Sequence, residues 1–358
     1  MGFEASLSSD RAIVDKEIAA FFDHMCEGQN NQFLKYNYET LEQFVLRQGK
    51  RLRPITTIKS YAAFSGNEKK IYPLSIVSEL FHTSSLIHDD IMDEDSIRRG
   101  SKTMHVLYED YFRRHFNDES YHGSIFSAHA KRFGSSIAIM QGNLLYSLAY
   151  RLLLTSDLEF GKKQEALALF NHAYARTNEG QMLDVLFSSK NKISVAEYEA
   201  MVEGKTACPL GAAIGFGAML AGADKSQRTA LQQYSYHAGI AFQIMDDIMD
   251  LSSGRKKRLA GSDVRKGSKT LVIVHALQHA ASKDKKIMMK IVGNHTASSE
   301  DIQTVMRILE KTESVSYAQM RAERHVMQAK HSLLRLKANK ERKEFFLQLA
   351  DYILARSA

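Results

Sequence analysis

Three prolines in a chain of 358 residues, Pro54, Pro73 and Pro209, leave few places where a helix must stop. No Asn-Gly or Asp-Gly pair marks a tight hairpin. Ala, Leu, Met, Lys and Glu are abundant, and all of them sit comfortably on helices. These constraints predict an all-α chain. Hydrophobic residues at 44% and charged residues at 25% exclude a disordered one. No Pro/Gly/Ser-rich linker interrupts the sequence, so a single domain over 1–358 is expected. Within it, residues 108–132 are polar, aromatic and rich in histidine, and read as a peripheral insertion. His115, His122 and His129 recur every seven residues, but Asn117, Asp118 and Gly123 interrupt the helix that would align them.

Two cysteines, Cys26 and Cys208, exclude a disulfide framework and a Cys-rich zinc site, and suggest a reducing, cytoplasmic setting. The longest uncharged run, 206–223, is rich in glycine and alanine. Such small residues suit a buried helix, and no transmembrane segment is expected. A net charge of +7 favours anionic ligands without naming them. The basic run GRKKR at 254–258 carries no interleaved aromatic residue and reads as a solvated loop, not a nucleic-acid site.

Chemistry enters with a repeated tetrad. LIHDDIMDEDSIRRG spans 86–100 and FQIMDDIMDL spans 242–251, so DDIMD begins at both Asp89 and Asp246. Each copy ends an apolar helical pattern. Positions i and i+4 share a helix face, which aligns Asp89 with Asp93 and Asp246 with Asp250. Asp90 and Asp247 lie about 100° around the helix. Aligned carboxylates repel unless a cation sits between them. Oxygen-only ligands suit Mg²⁺, which keeps several waters and completes its shell with phosphate oxygens. His88 lies about 100° from Asp89 and is not counted as a ligand. If the two helices faced one another, their carboxylates would line one diphosphate-binding cleft. Cations for the phosphates are at hand: Lys50, Arg51 and Arg53 in GKRLRP at 49–54, Arg98 and Arg99 after the first tetrad, Lys205, and Lys266 and Lys269 in GSDVRKGSKT.

Together these segments resemble the trans-prenyltransferases, or polyprenyl diphosphate synthases. The resemblance rests on GKRLRP, HTSSLIHDDIMDEDSIRRG, EGQMLDV at 179–185, GKTA at 204–207, FQIMDDIMDL and GSDVRKGSKTL, in the family's order from about residue 40 to 280. It implies an all-helical isoprenoid-synthase fold with a central cavity, a homodimer, and head-to-tail condensation of isopentenyl diphosphate onto an allylic diphosphate. It further implies Asp89, Asp93 and Asp246 as the main magnesium ligands, about three ions in all, with Asp90, Asp247 and Asp250 in support. By the same carry-over, Arg98, Lys205, Thr206, Gln243 and Lys269 bind the allylic diphosphate, Lys205 counting also as catalytic. Gly49, Lys50, Arg53, His82 and Arg99 bind isopentenyl diphosphate. Three departures stand out. GRKKRLAGSD is shorter than the family's lysine-bearing stretch, with Arg258 in the place of interest. Ser268 precedes Lys269 where a lysine is usual, and Gly142-Asn143 replaces a Gly-Asp pair.

Product length follows from the helix carrying the first tetrad. In the family, an aromatic residue one turn before the tetrad stops chain growth early. Ser84 and Ser85 stand there, which predicts an open upper channel and products of C20 or longer, with geranylgeranyl diphosphate favoured. Phe81, roughly 12 Å from Asp89 along the axis, could floor a C20 chain or merely bend a longer one, with residues near Ile137–Leu144 closing the cavity instead. A terpene cyclase would usually lack the second tetrad and would not need GKRLRP. A non-catalytic prenyl-diphosphate-binding subunit would typically have lost carboxylates, and all six are present.

Overall fold

The computed structural model describes residues 3–65, 67–117, 121–251, 261–336, 338 and 340–355. Helices dominate. In the first part of the chain they are α1 (Phe3–Cys26), α2 (Gln32–Val45), α3 (Leu52–Ala62), α4 (Tyr72–Ser75), α5 (Val77–Met92), α6 (Met104–His115) and α7 (His129–Thr155). Then come α8 (Phe160–Ser188), α9 (Val195–Val202), α10 (Cys208–Leu220), α11 (Lys225–Leu251), α12 (Ser262–Lys266), α13 (Leu271–His279), α14 (Ser282–Ile291), α15 (Ser299–Lys311), α16 (Ser314–Ser332) and α17 (Lys340–Ala355). Local sequence explains several starts. Asn31 accepts the Leu34 N–H ahead of α2, and Ser194 and Ser298 form reciprocal capping boxes with Glu197 and Asp301 ahead of α9 and α15.

The chain divides into two compact units, one built from residues up to Ile58 and Asn67–Leu167, the other from Lys59–Gly66 and from Ala168 onward. The division falls inside α3 and α8, so composition carries no signal of it. In the first unit α5 packs on α6 and α7. α7 is the one helix among the described residues long and apolar enough to cross a bilayer, by length and composition alone. In the second unit α11 runs through a core supplied by α10, α13, α16 and α17. Ala238 and Ala241 on α11 and Ala318, Ala322 and Ala329 on α16 are all buried, and small side chains let the two axes approach closely. The uncharged run 206–223 becomes α10, whose Ala212, Ala213, Ile214 and Phe216 are core residues.

Two expectations change. Residues 108–115 of the supposed peripheral insertion belong to α6, and Tyr108 is fully buried, donating to Asn37 Oδ1 at 2.9 Å while Gln141 donates to its hydroxyl. Polar and aromatic composition misled because Tyr108, Asn37 and Gln141 hydrogen-bond one another inside the core. The chain also contains a short hairpin, β1 (Ile97–Arg98) against β2 (Ser101–Lys102), turning through Arg99 at φ 54° and Gly100 at φ 77°. Two positive φ values give a turn matched to strand twist. Its first position is arginine, so no Asn-Gly or Asp-Gly signal announced it.

Candidate active site

In the first unit, α5 ends on the tetrad. Asp90 is fully buried, whereas Asp89 and Asp93 keep partial exposure, Asp93 as the helix C-cap. The helix thus turns one carboxylate inward and leaves the i, i+4 pair at the surface, as the spacing predicts. Arg98 on β1 donates Nε to Asp90 Oδ1, with Nη2 at 3.5 Å from Asp89. Burial pushes the Asp90 carboxyl up to about 6, against the opposing pull of Arg98. Its other oxygen, Oδ2, is buried and accepts no hydrogen bond. His88 lies apart from these carboxylates, its Nε2 at 3.2 Å from the Ile139 carbonyl.

The GKRLRP segment opens α3, and its arginines differ in role. Arg51, at φ 50°, is buried, with Nε on Asp15 at 2.7 Å, Nη1 on Glu79 at 2.8 Å and Nη2 on the Arg47 carbonyl. Its grouping with the phosphate cations is therefore corrected: two carboxylates occupy it. Arg53 has a buried Nε with no acceptor. Burial lowers its guanidinium to about 10, with Arg99 pushing the same way and Glu79 opposing. His82 is held neutral first by burial and then by Arg53, Arg99, Arg98 and Arg51. Gly49 makes room for Arg99: a Cβ there would lie 2.6 Å from Arg99 Nη1. Lys50 is exposed at the edge of this group.

The supposed channel wall is different from the expectation. Ser84 is fully buried and donates to the Gly142 carbonyl of α7 at 2.8 Å, so it faces a helix and not open space. Ser85 is half-buried and bonds back to the His82 carbonyl. The Phe81 ring packs edge-on against Tyr146 and Tyr150 of α7, both with centroids 5.3 Å away. Those tyrosines lie just beyond the Ile137–Leu144 stretch considered from sequence.

In the second unit, α11 carries Asp246, half-buried, with Asp247 and Asp250 buried. Asp250 Oδ2 accepts the Asp263 N–H at 2.9 Å, tying the helix end to the GSD segment. Asp247 accepts from Tyr198 at 2.7 Å and from Gln243 at 2.8 Å, and the Gln243 carbonyl accepts from Thr206 at 2.8 Å. Between α9 and α10 the backbone widens into one π-helical turn, Glu203–Ala207, a distortion frequent at functional sites. That turn carries Lys205 and Thr206. Lys205 Nζ pairs with Asp184 at 2.6 Å. α8 passes so near that a Cβ at Gly180 would lie 2.4 Å from the backbone nitrogen of Lys205, which accounts for the glycine in EGQMLDV.

Lys269 is a second correction. It is buried, with its ammonium on the carbonyls of Ser188 and Gly267 at 3.1 and 3.0 Å, because a buried charge must find acceptors. Arg258 and the basic run 254–258 lie outside the described residues. Sequence reasoning missed Asp15, Glu79, Asp184, Tyr198, Tyr146 and Tyr150. Glu79 did carry a signal, the one acidic residue in VSELFHTSSLI, which is otherwise apolar and hydroxyl-bearing apart from His82.

The family model for polyprenyl synthetases matches residues 35–309. The chain belongs to the polyprenyl synthetase family. A short chain isoprenyl diphosphate synthase of Methanocaldococcus jannaschii is 33% identical over 322 residues, 89% of each chain. A geranylgeranyl diphosphate synthase of Sulfolobus acidocaldarius is 33% identical over 300 residues, 83% of each chain. Among solved structures, geranylgeranyl pyrophosphate synthetase from Pyrococcus horikoshii aligns with a TM-score of 0.83 at 29% identity, covering 99% of this chain and 98% of that one. A Corynebacterium glutamicum geranylgeranyl pyrophosphate synthase, solved with isoprenyl diphosphate and magnesium, shares the fold at a TM-score of 0.88, with 24% identity and coverage of 98% and 99%. The all-helical isoprenoid-synthase fold is thus confirmed, and this polyprenyl synthetase is a metal-dependent transferase of prenyl groups acting on prenyl diphosphates.

The carboxylates fit a hard cation. Their donors are all oxygen, and Asp90 offers a buried oxygen with no hydrogen-bond donor. Among the described residues no three acidic, histidine or cysteine side chains converge into a ready-made cage. Magnesium does not require one, since it keeps waters and takes substrate oxygens.

Proposed function

We propose that this polyprenyl synthetase condenses isopentenyl diphosphate head-to-tail with an allylic diphosphate and releases geranylgeranyl diphosphate as its main product. The observation that carries the reading is Arg53: a guanidinium N–H buried without an acceptor, beside Arg99 and a neutral His82. Such a donor calls for an anion, and a diphosphate oxygen can accept it while a second oxygen takes a neighbouring N–H of the same guanidinium. Gly49, Lys50, Arg53, His82 and Arg99 would then hold isopentenyl diphosphate. Arg98, Lys205, Thr206 and Gln243 would hold the allylic diphosphate, and Lys269 takes no part.

Asp89, Asp93 and Asp246 would hold magnesium, about three ions in all, with Asp90, Asp247 and Asp250 behind them. Bound magnesium supplies charge neutralisation for the departing diphosphate. The protein's own contribution is orientation. Asp90 fixes Arg98, and Asp184 fixes Lys205, so both cations stand in place before charge develops. No side chain is needed as base if the leaving diphosphate takes the proton. Phe81 with Tyr146 and Tyr150 would end the chain's path, roughly 12 Å from Asp89 along α5, while Ser85 leaves the nearer turn open.

The same reading makes the enzyme a homodimer, supported by Ile139, Met140 and Leu154 left exposed on α7, and places it in the cytoplasm, supported by two free cysteines. The test is turnover of radiolabelled isopentenyl diphosphate by the purified chain with dimethylallyl, geranyl or farnesyl diphosphate, products sized by chromatography. A C20 product is expected. A product that stops at farnesyl diphosphate, or no turnover by the chain alone, overturns the proposal.

A further inference from the structure

We propose that Tyr198 is a positioning residue for the second carboxylate set: its hydroxyl fixes Asp247 and, through Gln243, decides which group of the Thr206–Gln243 pair is left to meet a phosphate. The inference rests on the reading of α11 as part of the diphosphate site.

Tyr198 sits on α9, fully buried, and donates to Asp247 Oδ2 at 2.7 Å. Gln243 donates Nε2 to Oδ1 at 2.8 Å, and Thr206 donates to Gln243 Oε1 at 2.8 Å. The contacts set the order of donors along this chain: Tyr198 donates to one oxygen of Asp247, and the Gln243 amide turns its NH₂ toward the other. Its carbonyl then faces Thr206, and the single proton of the Thr206 hydroxyl goes to that carbonyl. What remains of the pair for a phosphate oxygen is the second N–H of Gln243. The amide is thereby held as a donor and cannot present its carbonyl, which would repel an anion.

Tyr198 holds the far end of this arrangement. Without its hydroxyl, Asp247 Oδ2 has no donor in a buried place, and the carboxylate can turn toward Gln243 or away from it. The amide loses its reason to face one way. The segments tied together are α9, the π-helical turn and α11, all within the second unit, so the isopentenyl site around Arg53 should be untouched.

The experiment compares wild type, Tyr198→Phe, Asp247→Asn and Tyr198→Phe/Asp247→Asn. Magnesium with inorganic pyrophosphate is titrated calorimetrically, and the Michaelis constants of both substrates are measured beside thermal unfolding. Tyr198→Phe should weaken magnesium-pyrophosphate binding and raise the allylic Michaelis constant by roughly tenfold. The isopentenyl constant should stay within about twofold of wild type, and the double variant should bind like Asp247→Asn alone, because the tyrosine acts through that carboxylate. Should Tyr198→Phe fail to fold, the double variant leaves no unpaired carboxylate, and its match to Asp247→Asn decides. Binding unchanged in Tyr198→Phe, both Michaelis constants raised alike, or additive losses in the double variant would each overturn the proposal. Wild type that binds no magnesium pyrophosphate would instead sink the metal reading beneath it.

Discussion

Arg51 and Arg53 stand two positions apart, yet burial gives them different chemistry. Arg51 and Glu79 are both out of solvent and 2.8 Å apart, while Asp15 on the same guanidinium is about a quarter exposed. Breaking a buried pair leaves an uncompensated charge and costs about 3–5 kcal/mol, whereas a partly exposed partner is worth about 1 kcal/mol or less. Glu79→Gln should therefore destabilise the enzyme by about 3 kcal/mol, and Asp15→Asn by under about 1 kcal/mol, in urea unfolding. Equal losses would mean the two carboxylates share the charge evenly. The serines before the first tetrad separate in the same way. Ser84→Phe should destabilise the chain, since Ser84 has no space and faces the Gly142 carbonyl; Ser85→Phe should fold and shorten the product below C20. Product sizing with a melting curve on each variant checks both. From sequence these neighbours were interchangeable, because α5 is buried on more than one face and spacing alone cannot say which face meets a helix.

At the scale of elements, the chain's lack of breakers made the helices legible, and the apolar pattern read from about Leu231 to Leu251 lies wholly within α11. The π-helical turn was not legible: its five residues, Glu203–Ala207, are too few for a periodicity to reveal, though it decides where Lys205 and Thr206 stand. The junction of α11 and α16 holds a histidine pair, His237 Nδ1 and His325 Nδ1 at 3.1 Å. Burial, then His325, lowers His237 to about 4, with Glu199 opposing; Arg321 and Tyr236 complete its surroundings. The folded state thus keeps His237 neutral where the unfolded chain takes up a proton near 6.5. Its contribution is fully present above about pH 6.5 and is lost as pH falls from there toward 4. The melting temperature should drop over that window, and His237→Gln should flatten the drop. A variant with the wild-type slope would assign the effect elsewhere.

For the whole molecule, six motifs in order were enough to read the family and the reaction, while the division into two units was hidden because it passes through α3 and α8. Each unit carries one carboxylate set, and the proposed function assigns each a share in holding magnesium. Magnesium with pyrophosphate at about a hundred times its dissociation constant should add about 2.7 kcal/mol of stability, seen as a raised melting temperature that a chelator reverses. Asp246→Ala should lose most of that rise; keeping it would remove Asp246 from the ligands. The buried Arg51 has one further consequence. The family match begins at residue 35, after α1, and α1 bears no motif. Its Asp15 nevertheless grips the arginine inside GKRLRP. Recognisable similarity and cooperative folding therefore have different borders in this protein. Anyone trimming the gene to its motif-bearing stretch for expression would keep every residue proposed to hold substrate and remove a brace on the segment that carries Arg53.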